Sequence, residues 1–313
     1  MILENKLKKK ELYIFIGIMA LILLVAVIGS FYNTDIYYEE EDNTQVLTND
    51  IQVKNISELE DSDFSIHYID VGQADSFLVV SNGHALLIDA GNNKDGKTVV
   101  NYIKNLGIKT LDYAIGTHPH SDHIGGLDTV IKKLTVKDVL MPNIQTSTMT
   151  FTEILDAMQD KGVPLTIPKV GDTFYFGDAS FTVLSIENDV EEYNLASIVV
   201  KVNYKNNSYI FCADAETENE AKMLKSGLDL KSDIIKIGHH GSYSSSSKKF
   251  IEAVNPKAAI ITLGADNDYG YPHRETIKTL NDLKIPYFRT DINGSIVVTS
   301  DGTNNTIYLS KGE

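Results

Sequence analysis

The sequence predicts an α/β domain, two central sheets with helices outside them, tethered by one N-terminal transmembrane helix. Three observations carry this expectation. Short apolar runs of strand length fall into two clusters, segments that read as helices stand between them, and a charge-free stretch precedes both. A chain of 313 residues suffices for one large domain or two small ones.

Taken in order, residues 1–11 form a basic tail with Lys6, Lys8, Lys9 and Lys10. Residues 12–30 carry no charge and are almost wholly apolar. As a helix they would span about 28 Å, close to the hydrocarbon thickness of a bilayer. Asp35, Glu39, Glu40, Glu41 and Asp42 follow. The positive-inside rule therefore puts the N-terminus in the cytoplasm and the bulk of the chain outside, on a single-pass anchor in the cell membrane. A cleaved signal peptide, giving a secreted domain, is the alternative. It is disfavoured because the stretch exceeds a usual signal core and Ala26-Val27-Ile28 reads poorly as a cleavage site. Residues 31–62 are polar and acidic and read as a solvated linker.

Residues 63–313 read as the folded domain. Its first half has strands at 65–71, 76–81, 84–89, 113–117 and 139–141, with helices at 97–106, 125–133 and 152–161. Its second half has strands at 173–176, 180–186, 197–204 and 208–213, a helix at 216–225, and a strand at 233–237. A helix at 248–254, a strand at 258–262 and a helix at 274–283 follow. Short strands near 287, 295–299 and 306–309 close the pattern.

Within this frame one hexapeptide concentrates chemistry. His118-Pro119-His120-Ser121-Asp122-His123 holds three of the eight histidines of the chain, directly after a strand and before a helix. Imidazole nitrogen and carboxylate oxygen are common ligands for zinc and also suit manganese and iron. His118 and His120 are two apart, and Pro119 favours extended backbone before it, so the two rings point the same way. Asp122 and His123 can then turn towards a second ion. Further on, Asp214 ends one apolar strand, and His239-His240 follow another.

HPHSDH resembles the HxHxDH signature of the metallo-β-lactamase superfamily. Around it, residues 70–76 resemble a "DVGQGD" opening, Ile88-Asp89-Ala90-Gly91 an "IDAG" step and His239-His240-Gly241-Ser242 an "HHGS" step. Asn267 to His273 resemble an "NxYGHPH" string. Together these are similar to the hydrolase domain of ComEC-type DNA-uptake proteins and its stand-alone relatives. The resemblance implies a four-layer αββα sandwich and two divalent ions, zinc foremost and manganese as the alternative. It implies His118 and His120 on one ion, Asp122 and His123 on the other, Asp214 bridging them, and one of His239 and His240, with His240 favoured, as the last ligand. Asp70, Asp75 and Asp89 are then candidates to hold the imidazoles. His273 is a candidate proton donor, and Tyr271 stands where the pattern has a histidine.

One ligand of the pattern is missing, because no histidine lies between His123 and His239. Asn194 and Ser197 stand near its expected position, and their amide and hydroxyl oxygens are poor zinc ligands beside imidazole.

The expected activity is hydrolysis of a phosphodiester, in nucleic acid or a phosphorylcholine-type ester, by a metal-activated hydroxide with Asp122 and Asp214 at the reaction centre. Alternatives are hydrolysis of a carboxylic ester, lactone or β-lactam, and a metal-degenerate binding module. Charge constrains the partner. Residues 1–30 hold four Lys and two Glu, leaving 24 basic and 41 acidic side chains and a net charge of −17 on the remainder. Strong non-specific binding of nucleic acid is therefore not expected. The single cysteine, Cys212, lies within an apolar strand and reads as a small buried hydrophobe.

Overall fold

The computed structural model describes residues 51–144 and 146–311. Its first half contributes β1 (Ile51–Asn55), β2 (Phe64–Tyr68), β3 (Phe77–Ser81), β4 (His84–Ile88), β5 (Thr110–Leu111), β6 (Tyr113–Ile115), β7 (Thr135–Val136), β8 (Val139–Leu140) and β9 (Leu165–Thr166). The second half contributes β10 (Thr173–Phe176), β11 (Ala179–Ser185), β12 (Val199–Tyr204), β13 (Asn207–Phe211), β14 (Ile234–Lys236), β15 (Ala258–Ile261), β16 (Tyr287–Arg289), β17 (Ile296–Ser300) and β18 (Asn305–Leu309). One large sheet runs β1-β18-β17-β2-β3-β4-β6-β8-β9, the other β10-β11-β12-β13-β14-β15-β16, and β5 and β7 pair as a small third sheet. β17 and β18 therefore cross back to complete the first sheet.

Alternation along the strands builds three apolar layers. Leu86 and Ile88 of β4 join Phe64, Ile66 and Tyr68 of β2 against Val200, Val202 and Phe211 of the other sheet. Ala85 and Leu87 point the opposite way. They meet helices α1 (Gly96–Asn105), α3 (Leu127–Lys133) and α4 (Met149–Lys161) through Val99, Ile103, Val130, Ile131 and Ile154. On the far side Ile210, Ile235, Ala259 and Ile261 meet α5 (Thr217–Met223), α6 (Lys248–Val254) and α7 (Arg274–Asp282) through Met223, Phe250, Ile251 and Leu280. The result is helices, sheet, sheet, helices. Burial on both faces explains why these strands read as apolar runs rather than clean alternation.

The middle of the fold is aromatic. Phe64 stacks on Tyr204 with ring centroids 4.3 Å apart and on Tyr209 at 5.3 Å. Tyr209 Oη donates to Asn305 Oδ1 at 2.6 Å, so its hydroxyl is not stranded in the core.

Several expectations need correction. Residues 51–55 are not linker: β1 pairs in parallel with β18, from Ile51 opposite Asn305 to Asn55 opposite Leu309. A 3₁₀ turn, Ile56–Glu58, follows, capped by Asn55. A short helix α2 (Ser121–Ile124) precedes α3, and Gly125-Gly126 stand between them. A Cβ on Gly125 would lie 2.3 Å from the Asn93 nitrogen, and one on Gly126 would lie 2.3 Å from the Ala90 carbonyl oxygen. Only glycine lets this segment lie against the loop after β4. Helix α4 begins at Met149, where the Thr148 hydroxyl accepts from Phe151 N, and ends on Gly162 in the left-handed region. The expected anchor, 12–30, lies outside the described residues. Among the described residues no helix is long and apolar enough to cross a membrane.

Candidate metal centre

β4, β6 and β8 run parallel in the first sheet, and β13, β14 and β15 run parallel in the second. Their carboxyl ends lie on one edge of each sheet, where open α/β sheets place their functional loops. Asp89 follows β4, the 117–123 segment follows β6, Asp214 follows β13, His239 and His240 follow β14, and Thr262 follows β15.

Two groups of atoms able to ligate an ion face each other there, and a third, Asp75, Asp89 and His123, lies behind the His123 ring. His118, His120 and Asp214 make one, and Asp122, His123 and His240 the other, with the atoms of each group within 4.8 Å of one another. His120 has extended backbone, φ −76° and ψ 145°, and its Nδ1 lies 3.0 Å from His118 Nε2. The two rings do share a side. Asp122 and His123 sit on the one turn of α2 that follows. His240 Nε2 is 3.5 Å from Asp122 Oδ2. Asp214 lies between the groups: its Oδ2 is 3.2 Å from His123 Nε2 and 3.8 Å from His118 Nε2, and its Oδ1 is 3.8 Å from His240 Nε2.

Hydrogen bonds behind the rings choose the nitrogen each presents. His240 Nδ1 donates to the Thr262 carbonyl oxygen at 2.8 Å, which leaves Nε2 as the nitrogen turned to the cluster. His123 Nδ1 donates to Asp89 Oδ2 at 2.8 Å, with the same result. The Thr117 hydroxyl donates to Asp89 at 2.7 Å, so it accepts from His118 Nδ1 at 3.1 Å and Nε2 again faces forward. His123 Nε2, His240 Nε2 and Asp214 Oδ1 are buried and have no hydrogen-bond partner. Nitrogen and oxygen atoms buried together in this way are costly unless a proton or a cation joins them, and the donor set suits zinc or manganese. The residues fit a pair of divalent ions.

The electrostatics point the same way. Burial alone would raise the Asp214 carboxyl, but the fields of His123 and His240 outweigh it and hold it well below the usual carboxylate range. Asp122 behaves alike, with burial opposed by the His240 hydrogen bond and the field of His123. Burial, with repulsion from His123, keeps the His118 imidazole neutral. Burial is overcome at His123 by Asp214 and Asp89, and at His240 by Asp214 and Asp75, so both imidazoles are raised. Incoming cations would take over the role of those protons.

The remaining candidates fall at varying depth. Asp75 is wholly buried beside this cluster, with Oδ1 3.4 Å from His240 Nδ1. Asp70 does not hold an imidazole. It accepts from Gly72 N at 3.2 Å and pairs with Lys311 at 3.2 Å, as a turn residue does. His239 lies outside both groups, with Nε2 3.2 Å from Tyr271 Oη and 3.7 Å from Asp214 Oδ2. His273 Nδ1 accepts from Tyr243 N at 3.1 Å, so its proton is on Nε2. At the missing-ligand position, Ser197 Oγ lies behind His118, 3.5 Å from Nδ1. Asn194 Nδ2 donates to Glu216 Oε1 at 3.2 Å, and its Oδ1 is buried without a partner. The first group therefore offers three protein side chains to an ion.

Sequence reasoning missed Thr117, Thr262 and Lys236, none of which is a ligand type in the motif. The signal was there only for Lys236, a charge inside an apolar strand.

The backbone here is unusual as well. Asp89, Ala213, His239 and His240 have φ values of 58°, 47°, 48° and 52°. Each left-handed non-glycine residue costs about 1–2 kcal/mol. Two in succession turn His240 into the cluster and leave His239 against Tyr271.

Comparison with known proteins agrees with this geometry. The chain is similar to ComE operon protein 3 of Bacillus subtilis (strain 168), 32% identical over 254 residues, covering 75% of this chain and 33% of that protein. It is also similar to Recombination protein 2 of Haemophilus influenzae, 28% identical over 242 residues, covering 75% of this chain and 29% of the other. Competence protein ComA of Neisseria gonorrhoeae is 28% identical over 236 residues, covering 72% and 31%. The chain thus spans about a third of the length of these relatives. Among solved structures, the metallo-β-lactamase fold protein YhfI from Bacillus subtilis superposes with a TM-score of 0.50 at 11% identity, covering 72% of this chain and 96% of that one. CmlA, a diiron β-hydroxylase from Streptomyces venezuelae, gives 0.51 at 14% identity, covering 78% and 55%. The metallo-beta-lactamase superfamily model matches residues 69–264, which contain both ligand groups and every strand end that supplies them, and the chain belongs to that superfamily.

Proposed function

We propose that this chain is a two-metal hydrolase of phosphodiesters. The observation that carries the reading is the placement of Asp214, whose carboxylate stands between two imidazole groups while its Oδ1 and two facing Nε2 atoms lack partners. When bound, two divalent ions, zinc or manganese by this donor set, supply Lewis acidity and a nucleophile at neutral pH.

The chain's own groups account for the rest. His118, His120, Asp122, His123, Asp214 and His240 would hold the ions. Asp122 is partly open to solvent, with 32% of its side chain exposed, so it can accept a hydrogen bond from an attacking water. Tyr271 Oη and His273 Nε2 are hydrogen-bond donors beside the cluster, suited to a phosphate oxygen and a leaving oxygen. The Tyr271 ring packs 6.2 Å from that of His240 and 5.0 Å from that of His273, which links both donors to the ligands. Similarity to proteins named for competence and recombination favours a nucleic-acid phosphodiester as the first substrate to try. The acidic domain grips a long polyanion poorly, so affinity would come from the reacting phosphate and its neighbours. The charge-free run 12–30 would anchor the chain in the membrane with this domain outside.

The test is metal content of the purified full chain, measured with hydrolysis of bis-p-nitrophenyl phosphate, p-nitrophenyl acetate and nitrocefin. Two ions per chain and activity on the phosphodiester, lost on chelation, are expected. Activity on the acetate or nitrocefin alone would move the assignment to a carboxylic ester or β-lactam. No metal and no activity would leave a binding module.

A further inference from the structure

Lys236 is wholly buried, an unusual place for an ammonium group. Its strand explains where it points. Ile234 joins the layer between the sheets, whereas Ile235 and Ile237 join the outer layer. Lys236 has the parity of Ile234, so it reaches between the sheets at the metal end. Its Nζ donates to the Asp75 carboxylate and to the Ala213 carbonyl oxygen, the latter at 3.1 Å, and lies 5.7 Å from the centre of the Phe77 ring.

Those two acceptors lead to different parts of the centre. Ala213 immediately precedes Asp214 and has φ 47°, and its carbonyl also accepts from His239 N at 2.9 Å. Asp75 accepts from the Thr262 hydroxyl at 2.5 Å and stands 3.4 Å from His240 Nδ1 and 3.9 Å from His123 Nδ1. Thr262 also supplies the carbonyl that orients His240. One ammonium thus ties the strained strand end carrying Asp214 to the turn carrying His240.

Stability alone does not explain such a pair. Burying an ion pair loses most of its attraction to desolvation, and an uncharged replacement is often as stable or more so. We propose that Lys236, acting through Asp75 and the Ala213 carbonyl, is a positioning residue that sets the separation of Asp214 and His240 and thereby the affinity of the metal centre, without being required for the fold. The inference rests on the two-metal reading.

The experiment compares the full chain with Lys236→Met and with Lys236→Met/Asp75→Asn. Each is stripped with chelator, followed by thermal melting, and titrated with zinc and with cobalt(II). Lys236→Met alone strands a buried carboxylate and is expected to melt early. The double variant is expected to melt at or above the parent temperature, to bind zinc about 10–100-fold more weakly, and to shift the visible cobalt bands. A purely structural pair would leave the cobalt spectrum of a folded variant unchanged. Parent-like zinc affinity and cobalt bands in the double variant would overturn the proposal, and so would failure of the double variant to fold. A parent chain that binds neither metal would overturn the two-metal reading itself, and the proposal with it.

Discussion

Asp89 Oδ2 accepts a hydrogen bond from His123 Nδ1 at 2.8 Å, and both side chains are wholly buried. The same carboxylate accepts from Thr117 N at 2.9 Å and from the Thr117 hydroxyl at 2.7 Å, which in turn faces His118. One residue at the end of β4 therefore orients an imidazole in each ligand group. Asp89→Asn keeps the shape and weakens these bonds. Zinc affinity, measured by competition with a chromogenic chelator, is expected to fall about 10–100-fold. An unchanged affinity would show that the rings are held by packing alone.

His120→Ala and Asp122→Ala remove one ligand from each group. Both side chains are partly exposed, so their loss opens no sealed cavity. Circular dichroism and melting are expected to stay close to the parent, while turnover of bis-p-nitrophenyl phosphate drops by about 10²-fold or more. Parent-like turnover in either variant would exclude that residue from the reacting centre.

His273 offers a different signature. With Nδ1 accepting from Tyr243 N, its Nε2 carries the proton that a departing oxygen needs. p-Nitrophenolate leaves well unaided, whereas an alkoxide does not. His273→Ala is expected to slow a dinucleotide by about 10²-fold and the nitrophenyl ester much less. Equal losses on both substrates would make His273 a structural cap of α7.

Far from the metal centre, His67 gives a pH test of the fold. Its Nδ1 lies 3.0 Å from Tyr102 Oη and its Nε2 2.9 Å from Ser65 Oγ. Burial lowers its pKa to about 4. The unfolded chain, near 6.5, takes the proton first as pH falls. Stability from a neutral His67 is thus complete above about pH 6.5 and is lost progressively down to about pH 4. Between pH 7.5 and 5 the loss comes to about 2 kcal/mol. His67→Gln lacks this dependence, so urea midpoints of the two proteins are expected to converge on acidification. Parallel pH curves would place the His67 pKa near its ordinary value.

The strands of both sheets were legible because burial on two faces forces runs such as Leu86-Leu87-Ile88 and Ile234-Ile235 into the sequence. β1 was not. Ile51-Gln52-Val53-Lys54-Asn55 lies at a sheet edge, half solvated and next to acidic residues, and it earns its pairing from β18, some 250 residues away. The candidate ligands were visible because the motif compresses four of them into six positions. Asp70 and Asp75 looked alike in the sequence, five residues apart, and only the turn between them sends one to the surface and the other under His240. Lys236 escaped notice because its partners, Asp75 and Ala213, come from distant loops, one before β3 and one after β13.

His118, His120, Asp122 and His123 hang from one sheet, and Asp214 and His240 from the other. Neither trio is whole until the two slabs have closed on each other. A cation held by all six residues would therefore fasten one slab to the other, and any grip it had on the hexapeptide alone would tighten as the architecture finished.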